Sequence, residues 1–421
     1  MNERSVSVNG ISIYSLTNPN LRSFCLSLYV RAGSIFEDLS NNGISHLFEH
    51  VVFRNIKNKY ENFYELLAMH GLCFQGSTYK KFVSFTIDGP QHEFDFAIEI
   101  LCGLFDEIKL TSHDFNNEKG RIKAEIREKD RRSSLDFYFD SIVWKNSAVE
   151  KIVLGYCKTV DRVSVKKINE FRQKVLSAGN CFVYATGNIS DEKPRRLNKK
   201  ISELDISQSN PGFTNTVTVN DEFFHREKKI WIKNNYWHYI QIGFDVDCSK
   251  YPGGVYDLLY ALLFNGDKAL VYNYLSEDNP IIYSYDSAFA QYDNVGNINF
   301  SFEVDRNKIE DVFKTVVELL NAAKDGRFNF EANLNYEMFN WELDLDKPRN
   351  LNWNMAYYNH ILKTEPIDYS DEFYGRFRVT KKQVTDAAKD IFRRCNMTVA
   401  VKGDRKKINA EAIEKILESL D

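Results

Sequence analysis

The stretch GISHLFEHVVF, residues 43–53, decides how the rest of the chain is read. It is long enough for a helix and has no internal Pro or Gly after its first residue. His46 and His50 lie four apart, with Glu49 three after His46, so on a helix all three project from one side and the imidazoles stand about 6 Å apart. Two neutral imidazoles converging on one point suit a zinc ion, and a carboxylate beside them suits the base that takes a proton from an activated water. An ordinary surface helix with two solvated histidines would show the same three residues. With eight histidines and 59 acidic residues among 421, however, composition alone yields His-x-x-acid-His in about one such chain in fifty.

Around this stretch, a chain of 421 residues exceeds one ordinary core, and two halves of similar size fit it best. A 43% hydrophobic and 27% charged composition with only 8 Pro and 20 Gly is that of packed domains rather than disordered tails. A net charge of −4 provides no basic field for nucleic acid or an anionic membrane, and the basic run at 193–200 reads as a solvated surface. The seven cysteines (25, 73, 102, 157, 181, 248 and 395) are scattered without a CxxC pair, which argues against a disulfide framework or a thiolate zinc site and points to a reducing, cytoplasmic setting. The opening MNERSVSVNGISIYSL alternates like a strand and does not read as a signal peptide, and no apolar run is long enough for a membrane span.

Strands are expected at 6–14, 24–30, 82–87 and 181–186, and helices at 44–53, 60–70 and 115–130. A polar stretch over 191–221, with Pro194 and Pro211, reads as a linker. Beyond it the order begins again, with strands at 229–232 and 239–246, helices over 255–275 and β-rich segments at 281–292 and 298–304. Laying GVYDLLYALLFNG from Gly254 over GISHLFEHVVFRN from Gly43 aligns Gly with Gly and Phe264 with Phe53, while His46, Glu49 and His50 fall on Asp257, Tyr260 and Ala261. The chain thus reads as a duplication whose first copy, 1–190, carries the polar constellation and whose second copy, 222–421, lacks it.

GISHLFEHVVF resembles the inverted zinc motif of the pitrilysin and insulinase family, which includes mitochondrial processing peptidase, and matches it at Gly43, His46, Glu49, His50 and Phe53. That resemblance implies two homologous α+β domains, each a mostly antiparallel sheet packed with helices. It also implies one Zn2+ per chain, with Glu49 as the base and a third ligand about 75 residues downstream. Glu125 is 75 after His50, and Glu118, seven before Glu125, shares its helix face as a supporting carboxylate. Glu128 competes at helical spacing, but the family interval favours Glu125. The segment GLCFQGSTYKKFVSF resembles the family's substrate-pairing strand, which makes Phe74, Gln75, Gly76 and Ser77 the expected peptide contacts; Gln75-Gly76 stand where the family commonly has Asn-Ala.

In the second copy, KALVYNYLSEDNPIIYSYDSAF resembles the segment in which an Arg and, seven residues later, a Tyr complete substrate binding. Tyr283 takes the Tyr position and is expected to stabilise the oxyanion, whereas Ser276 stands at the Arg position and a hydroxyl does not replace a guanidinium. The resemblance implies a zinc-dependent endopeptidase acting on unfolded or precursor peptides in a chamber closed by four such domains. A two-domain chain then needs a second subunit, and Ser276 favours a heterodimer over a homodimer. The competing reading is a noncatalytic, structural or substrate-binding subunit, a class that typically lacks some of the residues retained here.

Overall fold

Residues 4–30 lay down three strands in succession, β1 (Arg4–Val8), β2 (Ile11–Thr17) and β3 (Ser23–Val30). With β4 (Cys73–Thr78), β5 (Val83–Pro90) and β6 (Cys181–Gly187) they form a sheet ordered β1-β2-β6-β3-β5-β4, in which only β2 and β6 run parallel. The computed structural model describes residues 3–132, 134–189, 192–209, 211–213, 217–363, 366–368 and 377–420. They fall into two compact units, the first from Met1–Arg132, Ala148–Asn215 and Glu342–Ile361, the second from Ser133–Ser147, Thr216–Trp341 and Leu362–Asp421.

In the first unit β3 and β6 are buried on both faces, and side-chain alternation shows what covers each. Phe24, Leu26, Leu28 and Val30 enter a core shared with Leu47, Phe48, Val51 and Val52 of the helix Ile44–Lys57 and with Ala97, Ile98 and Leu101 of the helix Phe94–Gly103. Ser27 and Tyr29 face the opposite way. There the cover is the helix Pro348–Met355, which comes from the second half of the sequence and begins with Pro348 at a position that tolerates its missing N–H. Asn352 anchors it: the Tyr29 phenol donates to Asn352 Oδ1 at 2.9 Å, and Asn352 Nδ2 donates to the Tyr184 carbonyl at 2.9 Å. Thr186 Oγ1 adds a bond to the Pro348 carbonyl at 2.6 Å.

The second unit repeats the pattern. Strands β7 (Ile230–Asn234), β8 (Tyr239–Asp247), β9 (Asp286–Tyr292), β10 (Val295–Glu303) and β11 (Met397–Gly403) are ordered β7-β11-β8-β10-β9, with β7 and β11 parallel. That order matches β2-β6-β3-β5-β4 strand for strand, and the helix Gly253–Phe264 follows β8 as Ile44–Lys57 follows β3. The fold is α+β in two related sheets. At the repeated motif positions, Ala261 is buried and the Tyr260 hydroxyl bonds Ser287 Oγ at 2.8 Å.

Some expected stretches behave differently in detail. Helix Glu192–Ser202 occupies part of 191–221 and sends Leu197 and Ile201 into the first core; residues 191, 210 and 214–216 lie outside the described residues. The strand expected from 281 starts at Asp286. Helix Ser134–Val143 joins the second unit, where Phe139 packs against Gly243 and Trp144 stacks on Phe223. Asn352→Leu is expected to destabilise the first unit by about 2 kcal/mol, because it removes the buried bonds to the Tyr29 hydroxyl and the Tyr184 carbonyl. Urea unfolding checks this, and an unchanged midpoint would refute the anchoring role.

Candidate metal centre

The helix Ile44–Lys57 starts at Gly43, whose φ of 96° is the left-handed region that glycine adopts without strain. No side chain caps it from the usual position, and buried Glu37 does so from a distance. Glu37 Oε2 accepts from the Gly43 N–H at 2.7 Å and from Asn42 Nδ2 at 2.8 Å, while Oε1 accepts from the Ser45 N–H at 2.8 Å. A carboxylate here satisfies free helix N–H groups and faces the positive end of the dipole. Glu37 therefore fixes where the helix begins and how its first turn is rotated.

From that start His46, Glu49 and His50 emerge on one side, and the helix Ser112–Arg132 brings Glu118 and Glu125 to meet them. His46, His50 and Glu125 offer ligand atoms that all lie within 4.8 Å of one another, with His46 Nε2 at 3.5 Å from Glu125 Oε2. Donors bound tetrahedrally at zinc distances sit about 3.4 Å apart, so this donor set fits the ion in both chemistry and size. Glu128 is exposed and outside the cluster.

His50 and Glu125 are each oriented by a neighbour, whereas His46 Nδ1 is buried without a hydrogen-bond partner among the described residues. His50 Nδ1 lies 3.5 Å from Glu118 Oε2, leaving Nε2 for the ion, and Glu118 Oε1 accepts from Arg54 Nε at 2.6 Å. Arg54, Glu118 and His50 thus form a relay of the kind that fixes the tautomer and orientation of a ligating imidazole. Burial lowers the His50 pKa, but the Glu118 hydrogen bond and the nearby carboxylates outweigh it and raise it overall. For Glu118, burial favours the neutral acid, yet its bonds to His50 and Arg54 prevail and hold it below the usual carboxylate range. Burial, with His50 and Lys129 adding to it, pushes His46 down to about 3, so its imidazole is neutral, the form that ligates a metal. Lys129 Nζ meets the other Glu125 oxygen at 3.4 Å.

Glu49 is held between helix and sheet. Thr78 Oγ1 donates to Glu49 Oε2 at 2.9 Å, and a Cβ on Gly76 would stand 2.5 Å from Glu49 Oε1. Only glycine admits the carboxylate so close to the strand. Burial raises the Glu49 pKa, against the opposing pull of His50 and Thr78.

Strand β4 sorts the expected peptide contacts onto two faces. Phe74 and Gly76 face the motif helix, where Phe74 stacks on Phe53 with centroids 4.7 Å apart. Gln75 faces away from Glu49 and accepts from Arg349 Nη1 at 2.6 Å, and Ser77 alternates with it. Tyr283 belongs to the second unit, where it is 98% exposed, and Ser276 lies in the turn Asn273–Glu277 of that unit. Glu37, Arg54 and Thr78 were not singled out in the sequence. A helix reading at four-residue spacing from His50 would have found Arg54, but no local signal marks Glu37 or Thr78.

The family model for insulinase (peptidase family M16) matches residues 13–155, and that for the peptidase M16 inactive domain matches residues 162–332. The chain belongs to peptidase family M16. It is 21% identical over 333 residues to an uncharacterized zinc protease, YmxG, of Bacillus subtilis, a match that covers 77% of this chain and 79% of that one. It is 23% identical over 189 residues to the mitochondrial-processing peptidase subunit beta of Saccharomyces cerevisiae, covering 44% of this chain and 41% of the relative. In fold it is similar to a protease from Helicobacter pylori, with a TM-score of 0.81 at 18% identity and coverage of 96% and 99% of the two chains. No helix among the described residues is long and apolar enough to cross a membrane.

Glu118→Gln is expected to weaken zinc affinity by about 10–100-fold, since the amide no longer holds His50 as a charged acceptor. Competition against a chromophoric chelator measures it, and an unchanged affinity would remove Glu118 from the site.

Proposed function

We propose that the chain is a zinc-dependent endopeptidase that cleaves peptides held in extended form, as the catalytic subunit of a dimer. The observation that carries this reading is the convergence of His46, His50 and Glu125 within 4.8 Å, with Glu49 beside them and an open sheet edge adjoining.

The edge follows from register. The Tyr79 N–H donates to the Phe82 carbonyl, so in the β4–β5 hairpin Tyr79, Ser77 and Gln75 direct their backbone groups into the ladder. Phe74, Gly76 and Thr78 direct theirs outward, and β4 has no neighbour on that side among the described residues. An extended peptide adds to such an edge through main-chain hydrogen bonds, largely independent of its sequence. Its backbone then runs beside Gly76, and hence beside Glu49.

His46, His50 and Glu125 would hold the zinc ion, which when bound supplies Lewis acidity toward water and the scissile carbonyl. Glu49 takes a proton from the attacking water and returns it to the departing amine. Its half-buried position and the bond from Thr78 to one oxygen hold the carboxylate beside Gly76. Tyr283 exposes its phenol fully and is assigned to peptide or oxyanion contact, while Ser276 leaves the chain without the guanidinium of that segment. A second subunit supplying the missing contact accounts for this, with a heterodimer favoured over a homodimer. The seven cysteines are all unpaired, which supports a reducing compartment such as the cytoplasm.

The test is cleavage of an unstructured peptide by the zinc-loaded chain, alone and with candidate partner chains. Glu49→Gln is expected to lower kcat by about 100-fold or more while retaining zinc. Chelation abolishes and zinc restores wild-type cleavage. Undiminished hydrolysis by Glu49→Gln would overturn the mechanism, and full activity of the isolated monomer would overturn the need for a partner.

A further inference from the structure

We propose that Arg349 is a positioning residue for peptide binding, holding the substrate edge β4 in place from the sheet face opposite the metal centre. This rests on the proposed role of β4 as the peptide-pairing edge.

An edge strand is bonded on one side only, so its order depends on what its side chains grip. Toward the motif helix, Phe74 stacks on Phe53 and Thr78 bonds Glu49. On the other face Cys73 and Gln75 both contact Arg349. Its Nε donates to Asp88 Oδ1 at 2.7 Å, and its Nη2 also bonds that oxygen. Its Nη1 donates to Gln75 Oε1 at 2.6 Å, and Nη2 lies 3.5 Å from Cys73 Sγ. Cys73 and Asp88 are partners across β4 and β5, and Gln75 is the next residue on that face. One planar guanidinium therefore bridges the two strands, a geometry that a lysine ammonium does not reproduce.

The staple is fixed at its own base. Arg349 lies between Pro348, whose carbonyl accepts from Thr186, and Asn352, which bonds Tyr29 and Tyr184. The guanidinium thus starts from a backbone docked on the sheet centre, and the grip on Gln75 is transmitted from β3 and β6 to the edge. Gln75 itself turns away from Glu49, so it acts on a peptide through the placement of its own strand.

The experiment uses the full zinc-loaded chain with its partner, if cleavage needs one. Arg349→Ala removes the staple. Gln75→Ala cuts only its outer arm at an exposed residue and leaves the Asp88 pair intact, so folding is preserved. Each is expected to raise KM for a long unstructured peptide about tenfold, the worth of one charge-assisted hydrogen bond, with kcat and zinc content retained. The double variant should be no worse than Arg349→Ala, because both changes break one contact. Gln75→Glu, which keeps an acceptor for Arg349, should retain wild-type hydrogen-exchange protection along β4. In hydrogen exchange, the Gln75 and Ser77 amides should lose protection in Arg349→Ala while the helix Ile44–Lys57 keeps its own. Unmoved KM, additive effects or unchanged exchange at β4 would overturn the proposal. Absence of hydrolysis by the wild type overturns the peptidase reading instead, and the exchange measurement still decides the staple.

Discussion

Everything at this site depends on how closely the motif helix approaches the edge strand. Glu49 is pressed against the backbone at Gly76, near enough that a single methyl group would collide with its carboxylate. That contact places Glu49, the proposed proton acceptor, beside the backbone groups that an extended peptide would pair with. In the proposed reaction, binding and proton transfer would therefore share one wall, where small displacements of the reacting groups are costly. The surrounding interactions serve this approach: Glu37 sets the start of the helix, Thr78 aims Glu49, and Glu118 with Arg54 turns His50 toward the cluster.

The clustering of the site's side chains was legible because a helix turns spacing into geometry. Residues three and four apart must share a face, so His46, Glu49 and His50 declared themselves, and the seven-residue interval between Glu118 and Glu125 spans nearly two turns. The long step from His50 to Glu125 is not local, and only resemblance to a family bridged it. The α+β class and the repeated strand order were legible for a similar reason, since the apolar runs recur in both halves.

Interactions between distant segments were not legible. Glu37 caps a helix from six residues before Gly43, outside the interval of a capping box, and Thr78 meets Glu49 only because the sheet folds back over the helix. The residues of β4 were expected to act together, yet strand alternation sends Gln75 away from Glu49 and Gly76 toward it. Nor did any local pattern announce that residues 342–361 leave the second half of the sequence to cover the first sheet, or that residues 133–147 join the second unit. Both segments are helical, and a helical pattern reveals that a face is apolar without revealing which core receives it.

The central claim is that His46, His50 and Glu125 hold one zinc ion. X-ray absorption at the zinc edge of the metal-loaded chain tests it most directly. The account predicts one zinc per chain with two imidazoles and oxygen donors in the first shell, and loss of one imidazole in His50→Ala. A shell containing sulfur, or one unchanged by removal of His50, would contradict it.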